Sequence, residues 1–160
     1  MKITIIALGK LKEKYWKEAL AEYLRRLSTF AKTEVIELAD RPATFGTSEQ
    51  IMQAEGEDIL KTLQSFKPGG DSYTICLDVR GKARSSKDLA QHIDQLKIRG
   101  KSKLIFIIGG SHGLSPEVLQ QADESFSLGP QTWPHNLARV MLAEQIYRAF
   151  TISTNHPYHK

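Results

Sequence analysis

Five short apolar runs, separated by amphipathic stretches, constrain the fold of this chain more than any other feature. Each run has the length of a buried or half-buried strand. The runs cover residues 3–8, 34–38, 73–79, 104–108 and 125–128. Between them apolar residues recur at helical spacing, and a long final helix is predicted from about residue 135 to 150. Strands that alternate with helices predict one α/β domain over residues 1–160, with a mostly parallel sheet and helices on both faces.

Local signals predict where some helices begin and end. Thr47 is followed three residues later by Gln50, which is a capping-box pattern. The helix that it opens is expected to end near residue 66, ahead of the turn formers Pro68 and Gly69. Ser115 precedes a proline, the residue favoured at the first position of a helix, and predicts a short helix there.

Composition narrows the class of protein without assigning an activity. The net charge is +4 and there is one cysteine, Cys76, inside an apolar run. A moderately basic chain permits a polyanionic partner such as RNA but does not require one. A single cysteine excludes an intramolecular disulfide and argues against a thiolate zinc site, so no metal is expected. The apolar runs are too short for a signal or a membrane span, and a soluble cytoplasmic protein is expected.

Ligands of open α/β sheets bind beyond the carboxyl ends of the strands. Three glycine-containing loops qualify here, and they follow Val79, Ile108 and Leu128. The glycines do not have the spacing of a dinucleotide fingerprint, and no phosphate-binding P-loop is present in the sequence. These loops are therefore candidates for another kind of ligand site, although they could also be simple strand-to-helix turns.

Two alternatives remain open on the residues alone. The segment GGSHG, residues 109–113, matches the G-x-S-x-G nucleophile elbow and would make Ser111 the nucleophile of a serine hydrolase. That activity would also need an acid and a histidine later in the chain, placed beneath Ser111. The second alternative is a non-catalytic RNA-binding protein.

The last helix and the tail that follows it are unusual. Apolar residues cover most of the circumference of this helix, more than one sheet face needs, which suggests a second subunit against its other side. The chain then ends on NHPYHK, residues 155–160, which supplies two imidazoles, a phenol and an ammonium group. A terminus of this composition is either a frayed tail or part of a site.

Four segments in order resemble one family from end to end. They are IGGSHGL at 108–114, SLGPQTWPH at 127–135, RVMLAEQIYRA at 139–149 and PYHK at 157–160, with support from LDVRG at 77–81. The chain resembles the RlmH family of SPOUT-class methyltransferases, which methylate N3 of a pseudouridine in a stem-loop of 23S ribosomal RNA.

The resemblance implies a fold and a cofactor. It implies a C-terminal deep trefoil knot, which periodicity would not predict, and S-adenosyl-L-methionine held in that knot. The cofactor-binding positions that it implies are Leu77, Gly109, Leu128, Gly129, Pro130, Gln131, Thr132 and Trp133.

The resemblance also suggests roles for the tail and the last helix. We expect Tyr158 and His159 to be the catalytic residues that position the target base, one of which accepts its proton. His135, Arg139 and Lys160 are expected to bind RNA, together with the basic face of the first helix. The structural alternatives are a helix cap for His135 and an ion pair with Glu144 for Arg139. A homodimer that acts on the large subunit or on the whole ribosome is implied as well.

Overall fold

The computed structural model describes residues 1–66 and 70–160, and it confirms the predicted order of elements. The predicted break at Pro68 and Gly69 lies outside the described residues. The elements are β1 (Lys2–Leu8), α1 (Lys14–Leu27), β2 (Lys32–Leu38), a 3-10 turn (Ala43–Phe45), α2 (Ser48–Gln64), β3 (Ser72–Ala83), α3 (Ser86–Ile98), β4 (Lys103–Ile108), α4 (Pro116–Gln121), β5 (Glu124–Ser127) and α5 (His135–Ser153).

The five strands form one sheet in the order β2-β1-β4-β3-β5. Neighbouring strands in this sheet run parallel, as predicted. Parallel pairing brings the carboxyl ends of all five strands to one edge, and the three candidate loops lie at that edge.

Helices cover both faces of the sheet because the central strands present apolar side chains to both sides. In β4, Phe106 packs with α3 and α5 in one cluster, while Ile105 and Ile107 pack with α2 and α4 in another. Helices α1, α3 and α5 therefore lie on one face, and α2 and α4 lie on the other. The α/β architecture with two helical layers is confirmed.

Strand β3 is longer than predicted, and the difference has a steric reason. The apolar run ends at Val79, but the strand continues through a polar segment to Ala83. Phe126 of β5 pairs first with Leu77 and again with Lys82 after an irregular stretch. A Cβ at Gly81 would lie 2.6 Å from a backbone carbon of β5, so only glycine allows this close approach of β3 to β5.

Helix α5 also extends beyond its predicted end. It continues to Ser153, after which the residues of the tail fold back against it. Its N-cap is Pro134, so His135 is the first helical residue and not the cap. None of the helices in the described part of the chain is long and apolar enough to cross a membrane.

Candidate functional site

A cavity of about 610 Å³ lies at the carboxyl ends of β3, β4 and β5. Apolar side chains such as Leu77, Ile108 and Leu128 form its deeper walls, and glycine backbone forms much of the remainder. Pro134, His135 and Ala138, at the start of α5, close another side. Volume and lining are typical of a small-molecule site.

The loop after β4 is compact because three glycines let its backbone fold on itself. Gly113 has φ +81° and its N–H donates to the carbonyl of Gly110 at 3.1 Å. A Cβ at Gly109 would lie 2.8 Å from the carbonyl carbon of Gly113. A side chain at position 109 would therefore force this wall of the cavity apart.

The loop after β5 is held by a serine at the end of the strand. The Ser127 hydroxyl accepts from the N–H of Gly129 at 3.1 Å and donates to its carbonyl at 2.9 Å. Gly129 has φ +118°, a conformation that side chains rarely adopt. Farther along the same loop, Trp133 is 36% exposed at the mouth of the cavity.

Among the described residues, two ionisable side chains line the cavity. Asp78 accepts from the Nε and Nη2 of Arg80, each at 3.0 Å, and from the backbone N–H of Arg80 at 2.8 Å. The Arg80 side chain lowers the pKa of Asp78, which keeps this carboxyl ionised at neutral pH. The other ionisable side chain is His135, which is half-buried.

The structure brings together seven of the eight predicted cofactor positions. Leu77, Gly109, Leu128, Gly129, Gln131, Thr132 and Trp133 line the cavity, whereas Pro130 does not. Several further lining residues were not among the predicted cofactor positions, including Asp78, Gly110, Pro134 and Ala138. Most of these are neighbours of predicted positions, so inspection of whole strand-end loops would have found them.

The geometry does not support a serine hydrolase. Ser111 is exposed, and no hydrogen bond joins it to a histidine or a carboxylate among residues 1–66 and 70–160. His156 and His159 lie instead beside Phe30 and Arg148, and neither lines the cavity next to Ser111. His135 lines the same cavity as Ser111, but no hydrogen bond joins the two side chains in the described structure.

Arg139, which was expected to bind RNA, is buried in this structure and makes contacts within the chain instead. Its side chain is 0% exposed, and its Nη1 donates to Glu37 at 2.8 Å. Its Nη2 donates to the carbonyls of Leu8 and Gly9 at 3.2 and 2.9 Å. The alternative pair with Glu144 does not form either, because Glu144 binds Arg148. Arg139 joins α5 to the ends of β1 and β2 and cannot reach a phosphate.

The tail is ordered against α5 and does not fray. The Tyr158 hydroxyl donates to Glu144 at 3.0 Å, and its ring packs edge-on against Tyr147 and beneath the Arg148 guanidinium. Burial, together with the hydrogen bond to Glu144, raises the pKa of Tyr158 to about 12. The Nη1 of Arg148 donates to Nδ1 of His159 at 3.3 Å.

Within one protomer the tail does not line the cavity. Tyr158 contacts α5 at Glu144, Tyr147 and Arg148, whereas the cavity reaches only as far as Ala138. At 1.5 Å per residue, these points are about 9 to 15 Å apart along the helix. Lys160, the last residue of the tail, is exposed.

No group of three or more metal-ligating side chains is placed to hold an ion in the parts of the chain that the structure describes. Cys76 is buried, and burial raises its pKa to about 12. This thiol is therefore a core residue with little thiolate character.

Comparison with known proteins places the chain in a family. The family model described as "Predicted SPOUT methyltransferase" matches residues 1–159. The ribosomal RNA large subunit methyltransferase H proteins of an Exiguobacterium species and of Bacillus pumilus are 47% and 48% identical to the chain, and each alignment covers 100% of both sequences.

Solved structures with low sequence identity share the fold. A probable methyltransferase from Bordetella pertussis has a TM-score of 0.53 at 13% identity and covers 92% of this chain and 95% of its own. A TrmH/SpoU tRNA modifying enzyme from A. aeolicus has a TM-score of 0.51 at 10% identity, covering 96% of this chain and 77% of its own. With the full-length family match and the relatives at nearly half identity, the chain belongs to the RlmH family of SPOUT methyltransferases.

Proposed function

We propose that this protein uses S-adenosyl-L-methionine to methylate N3 of a pseudouridine in a stem-loop of 23S ribosomal RNA. Its substrate is the large subunit or the whole ribosome, and it acts in the cytoplasm. The observation that carries the proposal is the cavity at the ends of β3, β4 and β5. Seven of the cofactor positions that the family resemblance implies lie in its wall. The names of the curated relatives support a ribosomal RNA substrate.

The residues of the cavity fit this cofactor. Leu77, Ile108 and Leu128 offer apolar contact to a purine ring, and the loops at Gly109 and Gly129 bring backbone groups close to a ligand. At Gly129 a Cβ would have no neighbour within 4 Å, so the backbone there is open to the approach of a ligand. When bound, S-adenosylmethionine supplies an electrophilic methyl group for an in-line displacement.

The protein must then align the base and remove the N3 proton. We assign Tyr158 and His159 to orienting the base. With its pKa raised to about 12, the Tyr158 hydroxyl stays protonated at neutral pH and is not a base, and its proton is donated to Glu144. His159 accepts from Arg148 at Nδ1, which leaves its Nε2–H as a donor. This donor suits a carbonyl oxygen that flanks N3, the Tyr158 ring can stack on the base, and the N3 proton passes to water.

Two copies of the chain would bring these groups to the cavity. Because the tail lies away from the cavity of its own protomer, we propose a homodimer in which the tail of one copy faces the cavity of the other. Leu137 and Met141 of α5 are half-buried, and so are Trp16 and Tyr23 of α1. Trp16 and Tyr23 pack against Val140 and Ala143 of α5. Partly exposed apolar side chains on both helices support an interface there.

A trefoil knot in the C-terminal part of the chain also belongs to this proposal. Support comes from the shift of register in β3, which pairs with Phe126 at Leu77 and again at Lys82. Helix α5 packs on the face that α1 and α3 also cover. The close approach of β3 to β5 on both sides of this shift is compatible with the knot that the family implies.

RNA contacts are assigned to exposed cations near the cavity and the tail. Lys160 is exposed, as are Lys12, just before α1, and Lys14 and Lys17 in its first turn. His135 at the cavity is the remaining candidate of the original set. These groups would neutralise phosphates without reading the sequence, so the shape of the stem-loop and the ribosome would supply specificity.

The test is mass mapping of 23S ribosomal RNA from cells that lack the protein. We expect one methylpseudouridine to lose its methyl group and to regain it when the gene is restored. Deletion of residues 158–160 should leave the protein folded and dimeric by light scattering but abolish methylation. Ser111→Ala tests the hydrolase alternative, because a methyltransferase should tolerate this change far better than a hydrolase that loses its nucleophile. If 23S ribosomal RNA from cells that lack the protein keeps all of its methylpseudouridine, the assignment is overturned.

Calorimetry separates the proposal from a non-catalytic RNA-binding protein. The purified protein should bind S-adenosylmethionine, with a whole number of ligand molecules bound per dimer. A protein that binds ribosomal RNA but shows no heat of binding with S-adenosylmethionine would instead be an RNA-binding protein without methyltransferase activity.

A further inference from the structure

Glu55 is a buried carboxylate that the reaction described above does not use. It lies in α2, is 3% exposed, and its Oε1 accepts from the backbone N–H of Arg41 at 2.7 Å. Its other oxygen, Oε2, is buried and has no hydrogen-bond partner in the described parts of the chain. A buried carboxylate oxygen without a partner is costly, so its position calls for a physical reason.

The unpartnered oxygen lies directly behind the wall of the cavity. A Cβ built at Gly110 would be 3.0 Å from Oε2 of Glu55, and Gly110 lines the cavity. Glycine places no side chain between the carboxylate and the cavity. The adjacent residue in α2, Gly56, is held against Ser115 with no space for a Cβ, which fixes the height of Glu55 relative to this wall.

No nearby cation neutralises Glu55 in the described structure. The Arg41 guanidinium binds Asp58 at 2.6 Å and the carbonyl of Ala39 at 3.1 Å, so its charge is already paired. In the cavity itself, the carboxylate of Asp78 is paired with Arg80. Glu55 is therefore a carboxylate with no cationic partner among the described residues, and it lies behind a glycine wall of a largely apolar cavity, where screening of charge is weak.

We propose that Glu55 makes the cavity prefer the cationic cofactor over the neutral product of methyl transfer. This inference rests on the proposed function. S-adenosylmethionine carries a sulfonium, whereas S-adenosylhomocysteine has a neutral thioether after the methyl group has moved to N3 and the N3 proton has left. A carboxylate behind the wall attracts the first and has no such effect on the second. Glu55 is thus a specificity-determining residue that does not touch the base.

The experiment compares both ligands in matched variants by calorimetry. Glu55→Gln keeps the shape of the side chain and the carbonyl oxygen that accepts from Arg41, but it removes the charge. We expect affinity for S-adenosylmethionine to fall about tenfold, with S-adenosylhomocysteine changed by less than about twofold. Glu57→Gln removes an exposed charge two residues along the same helix and should change neither affinity.

Two further comparisons keep the inference falsifiable. Glu55→Asp retains the charge and should keep most of the preference, whereas a loss equal to that of Glu55→Gln would assign Glu55 to packing alone. If Glu55→Gln does not fold, ligand binding by the wild type tests the preference for a cationic ligand. The wild type should bind sinefungin, which carries an ammonium group in place of the sulfonium, more tightly than S-adenosylhomocysteine. An unchanged ratio in Glu55→Gln, or a wild type that favours the neutral ligand, overturns the inference. A wild type that binds none of these ligands refutes the proposed function instead.

Discussion

Replacing Arg139 with methionine tests whether this side chain is structural. Met fills much of the volume but removes the bonds to Glu37 and to the carbonyls of Leu8 and Gly9. Removing one partner of a buried pair costs about 3–5 kcal/mol. The side chain of Glu37 is 34% exposed, so water can take over part of its pairing. The Nε of Arg139 already lacks a partner, and its removal relieves a small cost. The lower end, about 3 kcal/mol, is therefore expected.

Urea and thermal unfolding at a fixed protein concentration measure this cost, since oligomers make stability concentration-dependent. For a chain of this size, about 3 kcal/mol corresponds to a fall in Tm of about 6–12 °C. Arg25→Ala is the control, because Arg25 forms an exposed pair with Glu22 and its loss should not be measurable. A variant Arg139→Met with unchanged Tm and weakened RNA binding would refute the structural role and restore the RNA-contact interpretation.

Two further perturbations test the close approach of β3 to β5 and the packing of the tail against α5. Gly81→Ala should destabilise the fold by about 2 kcal/mol or more in urea, because its Cβ would lie 2.6 Å from the backbone of β5. Gly70→Ala, where a Cβ meets nothing within 4 Å, should leave the free energy of unfolding unchanged. Equal stability of the two variants would contradict the close approach of β3 to β5. Tyr158 should titrate near pH 12 in the difference in tyrosinate absorbance between wild type and Tyr158→Phe. The pKa of Tyr158 is raised above about 10, the value expected in the unfolded chain. Its contribution to the free energy of unfolding is therefore complete below about pH 10 and is lost as the pH rises toward 12. Titration near pH 10 would mean that the tail is detached.

Features that local sequence determines were predicted well. The strand predicted at 104–108 is Lys103–Ile108, and α2 begins at Ser48, directly after the predicted Thr47 cap, with both bonds of the capping box formed. Periodicity and capping depend on neighbours within a few residues, so the information is present in a short window. The order of strands and helices then leaves few topologies for one parallel sheet.

Features set by distant partners were not predicted. Arg139 finds Glu37 across 102 residues, whereas sequence spacing suggested either RNA or Glu144. The continuation of β3 beyond Val79 depends on Gly81 meeting the backbone of β5, which no local pattern indicates. Glu55 appears in sequence as an ordinary polar residue of an amphipathic helix. Its burial is a consequence of how closely α2 packs against the glycine loop at Gly110.

Helix α5 connects these observations to function. Across residues 135–153 every side chain is buried or half-buried, although one side of the helix faces away from the sheet. Its first turn closes the cavity through His135 and Ala138, and its second half holds Tyr158 through Glu144. Since a rigid helix fixes the separation of these two regions, one copy of the chain cannot fold its tail into its own cavity while these contacts persist. In the proposed homodimer, a second copy would complete the site. Tail deletion and dimer disruption should therefore have the same effect on methylation, and each should leave the binding of S-adenosylmethionine to the cavity largely intact.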